Sequence, residues 1–205
     1  MARIKVPRKS TAIDMTAMCD VAFLLLTFFI LTAKFKTEDP IHVDTPASTM
    51  KVPVPDDNMA TLTVGDKGKV FFGVAGVDVR KLTLEEMGKK YGITFTPDEI
   101  KRFQVTNEFG VPIGQLKQFL ALDNDQVKNF KQPGIPVDTT TTNELFNWIY
   151  QARLADKALH AKDLRISIKG DRNEQYPTIK LVIGVLQRQG LNKFSLITSL
   201  RTATK

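Results

Sequence analysis

The stretch that decides the architecture is Met15–Phe35, MTAMCDVAFLLLTFFILTAKF, in which one acid, Asp20, interrupts an apolar run that reaches Lys34. A helix of about 21 residues is about 30 Å long, which matches the hydrocarbon core of a bilayer. The run continues to Lys34 without the small-residue cleavage site that follows a secretory signal peptide. The sequence therefore predicts a retained transmembrane helix over residues 15–35.

The charges on either side of this helix predict its orientation. Four bases precede it, namely Arg3, Lys5, Arg8 and Lys9. After it, Lys34 and Lys36 are followed at once by Glu38 and Asp39. Because basic flanks stay in the cytoplasm, residues 1–14 are predicted to be cytoplasmic. The chain after the helix is then expected on the far side of the membrane, which is the periplasm if the source is a Gram-negative bacterium.

Asp20 is the anomaly of this helix, because anchoring does not require a carboxylate. Placing one in hydrocarbon costs about 2.5 to 3.5 kcal/mol on insertion scales. At 100° per residue, Thr16 and Thr27 fall within about 60° of Asp20 and form a polar stripe with it. Lys34 is about four helical turns away, so a partner must come from another chain or from water.

This pattern predicts that Asp20 takes up and releases protons within the membrane, with Thr16 and Thr27 as supporting polar groups. The alternative is an acid near the membrane edge that only touches lipid headgroups. Asp20 lies about a turn and a half from the start of the apolar run, so position alone leaves both interpretations open.

Residues 36–59 form a predicted extended linker, since Pro40, Pro46, Pro53 and Pro55 alternate there with small polar residues. Within it, Ile41–Asp44 alternates apolar and polar side chains. Such alternation favours addition of the segment as a strand to the edge of a sheet.

Residues 60–205 show the periodicities of a folded α+β domain. Strand patterns at 62–64 and 70–74 flank a turn signal and predict a hairpin. Capping-box spacings at Thr83 and Thr141, and the run Thr96-Pro97-Asp98-Glu99, predict three helix starts. A strand at 164–168, a helix that begins at Pro177 and a last strand at 194–198 complete the order β-β-α-(insert)-α-β-α-β.

The predicted fold class is a single N-terminal transmembrane helix plus a periplasmic α+β domain, a small sandwich with helices on one sheet face and a helical insertion at about residues 92–141. Two interpretations of that insertion stay open. It is either a helical subdomain packed on the main core or a dedicated surface for a partner.

Several function classes are disfavoured by composition and motifs. The net charge is +7, but the bases are mixed with acids, which argues against nucleic acid. No HExxH, CxxC, GxSxG or phosphate-loop pattern occurs. His42 and His160 lie in different segments and are interpreted as single surface histidines without ligands nearby. No catalytic residue, cofactor or metal site is expected.

The stretch IDMTAMCDVAFLLLTFFILTA, Ile13–Ala33, follows a basic N-terminus and resembles the membrane helix of the ExbD/TolR biopolymer-transport family, with Asp20 at its proton-carrying aspartate. VDTPAST at Val43–Thr49 resembles the ExbD branch of that family. The segment LRISIKGDRNEQYPTIKLVIGVLQRQGLNKFSLIT, Leu164–Thr198, is similar to its closing strand, helix and strand. Residues from about 91 to 141 depart from the usual family pattern.

The resemblance implies a proton-channel subunit of the TonB-ExbB-ExbD motor, which uses the proton-motive force to energise outer-membrane transport. Two copies of the helix would sit inside an ExbB-like membrane pentamer, with protons as the transported ion. A far-side homodimer would engage a TonB-like protein, with partner contacts expected at Val43, Asp44, Thr45 and Pro46.

Two other functions remain open at this point. One is a TolR-like or other stator subunit that powers envelope maintenance or motility. The other is a tethered periplasmic binding module whose helix is only an anchor. The last of these predicts that a plain apolar helix can replace residues 15–35.

Overall fold

The computed structural model describes residues 15–33, 43–48, 58–65, 67–138, 143–171, 176–197 and 199–200. The chain divides into two compact units, Met1–Thr37 and Glu38–Lys205. In the first unit the described element is helix α1 (Met15–Thr32). By length and composition, α1 is able to cross a membrane, and none of its side chains is buried. The helix was predicted to reach residue 35, but Lys34 and Phe35 lie outside the described residues.

The second unit is a mixed α+β domain. Its strands are β1 (Ala47–Ser48), β2 (Met59–Gly65), β3 (Lys69–Val74), β4 (Glu108–Phe109), β5 (Arg165–Gly170), β6 (Ser195–Ile197) and β7 (Ser199–Leu200). Its helices are α2 (Val77–Tyr91), α3 (Pro97–Val105), α4 (Ile113–Ala121), α5 (Asn124–Asn129), α6 (Glu144–His160) and α7 (Tyr176–Arg188). The predicted order of hairpin, helices and closing strands is confirmed.

A five-stranded sheet with the order β4-β3-β2-β5-β6 organises this domain. The β2–β3 hairpin is antiparallel, as its turn signal predicts, whereas β5 runs parallel to β2 and β6 parallel to β5. Leu62 lies opposite both Phe72 and Ile168, so alternate residues of three strands share one face. That face carries the core, in which it packs with buried side chains of α2, α3, α4, α6 and α7.

Trp148 of α6 is the centre of the core and is fully buried. Its ring centroid lies 4.9 Å from that of Phe109, 6.0 Å from Phe103 and 6.4 Å from Phe72. The four rings belong to α6, β4, α3 and β3. Residues 92–141 therefore contribute helices and a strand to the main core, which favours the packed-subdomain interpretation of this segment.

Of the three predicted helix starts, the one at Thr96 is confirmed, and a capping box forms there. The Thr96 hydroxyl accepts from the Glu99 backbone N–H at 3.3 Å, and the Glu99 carboxylate accepts from the Thr96 N–H at 2.7 Å. The prediction at Thr83 is wrong, because α2 begins at Val77 and Thr83 lies inside it. There the Thr83 hydroxyl donates to the Val79 carbonyl at 2.6 Å. The Thr-x-x-Glu spacing of a capping box also occurs inside helices, so the spacing at Thr83 did not locate the start of α2.

The predicted cap at Thr141 is also wrong. Thr141 lies outside the described residues, and the N-cap of α6 is Asn143, whose side-chain oxygen accepts from the Leu145 N–H at 2.9 Å. Glu144 instead accepts hydrogen bonds from the Ile113 backbone N–H at 2.7 Å and from the Trp148 indole N–H at 3.2 Å. One carboxylate thus joins the start of α4 to α6.

The segment before β2 is partly attached to the domain. Val43 is buried, with 8% of its surface exposed. Ala47 and Ser48 pair in parallel with Ser199 and Leu200, so β1 lies against β7. Part of the region predicted as an extended linker therefore packs on the domain that follows it.

Truncation of Phe103 tests whether residues 92–141 stabilise the core. Phe103→Ala is expected to cost about 3 to 5 kcal/mol of unfolding free energy, because it removes a buried ring that stacks on Trp148. The matched control is Val105→Ala on the same helix, where the side chain is 70% exposed and the expected change is below about 0.5 kcal/mol. Urea unfolding of the full chain in detergent, monitored by the fluorescence of the single tryptophan, measures the unfolding free energy of both variants. Equal midpoints for the two variants would contradict the structure.

The Glu144 carboxyl predicts a pH dependence of stability. Burial raises its pKa above the ordinary value, and the hydrogen bonds from Trp148 and Ile113 oppose only part of that rise. A carboxyl whose pKa is higher in the folded state binds its proton more tightly there. The free energy of unfolding should therefore fall as the pH rises from the ordinary carboxyl pKa to the raised one.

Glu144→Gln keeps a carbonyl acceptor for both hydrogen bonds but does not titrate. The stability of the variant relative to wild type should increase across this pH interval and then stay level. Urea unfolding at a series of pH values measures the difference. Parallel stability curves for the two proteins would show that Glu144 does not titrate as described.

Candidate functional site

Asp20 is the single charged residue of α1 and is solvent-exposed in its unit. Among the described residues it has no hydrogen-bond or ion-pair partner. Thr16 lies about one turn before it and Thr27 about two turns after it, on the same side of the helix. The structure thus places the three predicted residues on one helix, where no basic side chain of α1 neutralises the acid.

The hydroxyl of Thr27 is engaged with the backbone of its own helix. It donates to the carbonyl of Phe23 at 3.0 Å and to that of Leu24 at 2.9 Å. The hydroxyl oxygen keeps its lone pairs, so toward a partner Thr27 acts as an acceptor. Thr32 donates in the same way to Phe28 at 2.8 Å but lies about 120° around the helix from Asp20.

The polar stripe is not continuous. Leu24 and Leu31 fall within about 40° of Asp20 on the helix surface, and Leu24 lies between Asp20 and Thr27. The rise from Asp20 to Thr27 is about 10.5 Å, which is longer than one hydrogen bond can span. Side chains of α1 alone therefore do not form a continuous proton path.

The predicted partner segment lies in the second unit. Val43 is buried there, Thr45 is half-buried, and Asp44 and Pro46 are exposed. The segment leads directly into β1, which pairs with β7. It therefore presents two exposed side chains from a backbone that Val43 and β1 hold against the domain.

His160 is exposed, as predicted for a surface histidine, but the expectation that no acid lies beside it is wrong. Its Nδ1 lies 2.7 Å from Oδ1 of Asp156, one helical turn earlier on α6, and Asp156 is fully buried. The spacing of four residues was visible in the sequence, but burial of the acid was not. Among the described residues, no group of three or more histidine, cysteine or acidic side chains could hold a metal ion. His42 lies outside the described residues.

The comparisons with known proteins bear on this arrangement. A family model described as biopolymer transport protein ExbD/TolR matches residues 7–201, which includes α1 and all described elements of the second unit. No curated protein and no solved structure matches the chain. Members of this family are membrane-associated accessory proteins that work with partner proteins in the energy transduction of biopolymer transport, and they are not enzymes. The chain belongs to the ExbD/TolR family of biopolymer transport proteins.

Proposed function

We propose that this protein is the proton-carrying subunit of an inner-membrane motor of the TonB-ExbB-ExbD type. In this proposal α1 crosses the membrane with its N-terminus in the cytoplasm, and the α+β domain lies in the periplasm. Asp20 takes up a proton, crosses an apolar part of the motor interface in neutral form and releases the proton on the cytoplasmic side. The observation that carries the proposal is the lone carboxylate on an otherwise apolar helix.

The energetics favour a transport role for Asp20 over an anchoring role. An unpaired carboxylate costs about 2.5 to 3.5 kcal/mol in a membrane helix, and a plain anchor would avoid that cost. One proton that moves through 100 mV releases about 2.3 kcal/mol. A few protons per step therefore supply enough free energy to shift a packed helix against its neighbours.

The partner of α1 is proposed to be a pentamer of an ExbB-like membrane protein that encloses two copies of the helix. Asp20 has no basic residue on α1, and Leu24 interrupts the polar stripe. The enclosing protein must therefore supply the hydrogen-bond donors or the water that a charged Asp20 requires. Thr27 contributes an acceptor oxygen to the same cavity, because its proton is already donated to the backbone.

On the periplasmic side the proposed partner is a TonB-like protein that meets a homodimer of the α+β domain. The exposed Asp44 and Pro46 are proposed contact residues, whereas Val43 and Thr45 hold the segment in position. A TolR-like role in envelope maintenance is the second candidate, since the matching family model covers both branches. The ExbD-like sequence at Val43–Thr49 favours the first.

Replacement of Asp20 tests the proposal. Asp20→Asn keeps the size and polarity of the side chain, but the amide cannot take up and release a proton as the carboxyl group does. Proton-gradient-dependent uptake of an iron chelate or cobalamin is expected to fall at least about tenfold in cells that carry the variant, because each transport step needs a titrating group. Cys19→Ala, at the neighbouring position, is the matched control and should keep uptake within about twofold.

Expression, membrane insertion and copurification with the membrane partner must be unchanged in Asp20→Asn. Normal uptake together with an intact envelope in that variant would refute the proton-carrying role of Asp20. Loss of envelope integrity with normal uptake would place the protein in a Tol-type motor and would refute the TonB assignment while it keeps the role of Asp20.

A comparison of two threonines tests the polar stripe. Thr27→Val and Thr32→Val each remove a hydroxyl that bonds to the backbone of α1, so their effects on the helix itself should match. Only Thr27 shares the face of Asp20. Thr27→Val should lower proton-coupled uptake by about two- to tenfold, and Thr32→Val should change it by less than about twofold. Equal uptake in the two variants would exclude Thr27 from the proton path.

A further inference from the structure

A shallow groove of about 550 Å³ runs along the outer face of α7. Five residues of this helix line it, namely Pro177, Lys180, Leu181, Gly184 and Arg188. The opposite face of α7 carries the buried side chains of Val182, Val185 and Leu186 into the core. The groove therefore lies on the side of α7 that faces away from the core, and the proposed motor function assigns it no role.

The floor of the groove is apolar. Pro177 and Leu181 lie about one turn apart, and 39% of the surface of Leu181 is exposed to solvent. Gly184 follows Pro177 by seven residues, so the two fall within about 20° of each other on the helix surface. A partner that covers this face would remove apolar surface from water, which favours binding.

No contact within the domain requires Gly184 to be a glycine. It lies in the interior of α7, where glycine destabilises a helix relative to alanine. A Cβ atom on Gly184 would meet nothing within 4 Å. By contrast, a Cβ atom on Gly88 of α2 would lie 2.6 Å from the Ile93 carbonyl oxygen, so close packing explains that glycine. The space above Gly184 is open to a side chain from outside the domain.

Two cations flank this open space. Lys180 lies four residues before Gly184 and Arg188 four residues after it, so the three form one row along the helix. The two cations are exposed and about 12 Å apart along the helix axis. The Arg188 Nε–H donates to the Gly184 carbonyl at 3.3 Å, which holds the guanidinium at the end of the groove. Because α7 contains no acidic residue, the row presents a cation, a gap and a second cation.

A helix with acidic side chains matches this row better than the other candidate occupants. A second copy of α7 would bring Lys180 and Arg188 against the same bases, and like charges repel. Bilayer surfaces attract clusters of about four to eight bases, whereas this row has two. Rows with a spacing of four residues on one helix pack into the grooves between such rows on another. The charge and the spacing of the groove therefore indicate an acidic helix.

We propose that this groove, which we call the Gly184 groove, docks an amphipathic helix of a partner protein. That helix carries a large apolar side chain and a carboxylate four residues before and after it. The apolar side chain fills the space above Gly184 and contacts Leu181, and the carboxylates pair with Lys180 and Arg188. The proposal is independent of the proton-carrying role of Asp20, since the groove lies in the other unit.

The test uses the full chain in detergent micelles and a fluorescent, alanine-based peptide of about 18 residues, which is long enough to form a helix by itself. The probe peptide carries glutamate, leucine and glutamate at a spacing of four residues. In the control peptide lysines replace both glutamates. Fluorescence anisotropy measures the affinity, with empty micelles as background. The glutamate peptide should bind along a saturating curve, and the lysine peptide should bind at least about tenfold more weakly.

Gly184→Leu fills the groove without a clash inside the domain. It should weaken binding of the glutamate peptide at least about tenfold, or about 1.4 kcal/mol. Gly114→Leu is the matched control, because a Cβ atom on this exposed glycine of α4 also meets nothing within 4 Å and Gly114 does not line the groove. It should change the affinity less than about twofold. Unchanged tryptophan fluorescence shows that both variants are folded.

A charge exchange tests the pairing with Lys180. Lys180→Glu should weaken binding of the glutamate peptide, and a peptide in which one glutamate is replaced by lysine should recover it to within about threefold. The proposal is overturned if neither peptide binds, if both bind equally, if the two glycine variants have equal affinities, or if the exchange gives no recovery. Self-association of the chain that Gly184→Leu abolishes would assign the groove to a second copy and would likewise overturn it.

Discussion

Burial of Trp148 is the constraint on which the domain depends. Its indole contacts rings from the sheet, from α3 and from β4, and its N–H donates to Glu144, which also holds the start of α4. A large aromatic side chain stabilises a core most when several elements enclose it and its polar atom has a partner. The middle segment, residues 92–141, supplies two of the enclosing rings, Phe103 and Phe109, and the Ile113 N–H that binds the same Glu144 carboxylate. It is therefore required for the closed core, whatever further partner its outer surface meets.

Much of this fold was predictable because its signals are local. The hairpin follows from alternation on both sides of a turn, and the start of α3 follows from the run Thr96-Pro97-Asp98-Glu99, with proline in the first turn. The errors at Thr83 and Thr141 have a common cause. A capping box is recognised by spacing, but a helix begins where tertiary contacts allow it, here at Val77 and Glu144. β4 was missed because two residues paired to a distant strand carry no periodic signal.

The candidate functional residues likewise include some that the sequence shows and others that only the packing shows. Asp20 stands out in the sequence because a membrane helix makes any carboxylate conspicuous, and its neighbours Thr16 and Thr27 follow from helix geometry alone. The Asp156–His160 pair does not stand out, because charged residues four apart are ordinary on a soluble helix. Only the three-dimensional packing shows that Asp156 is buried and that His160 lines a cavity.

The two units differ in how much of their own surface they bury. α1 buries none of its side chains within its own unit, so the stability of this helix depends on what surrounds it. The α+β domain encloses its own core. Residues 43–48 follow α1 in the chain and attach to the domain through Val43 and the β1–β7 pair. That short parallel ladder has few hydrogen bonds, so this attachment is weak compared with the aromatic core of the domain.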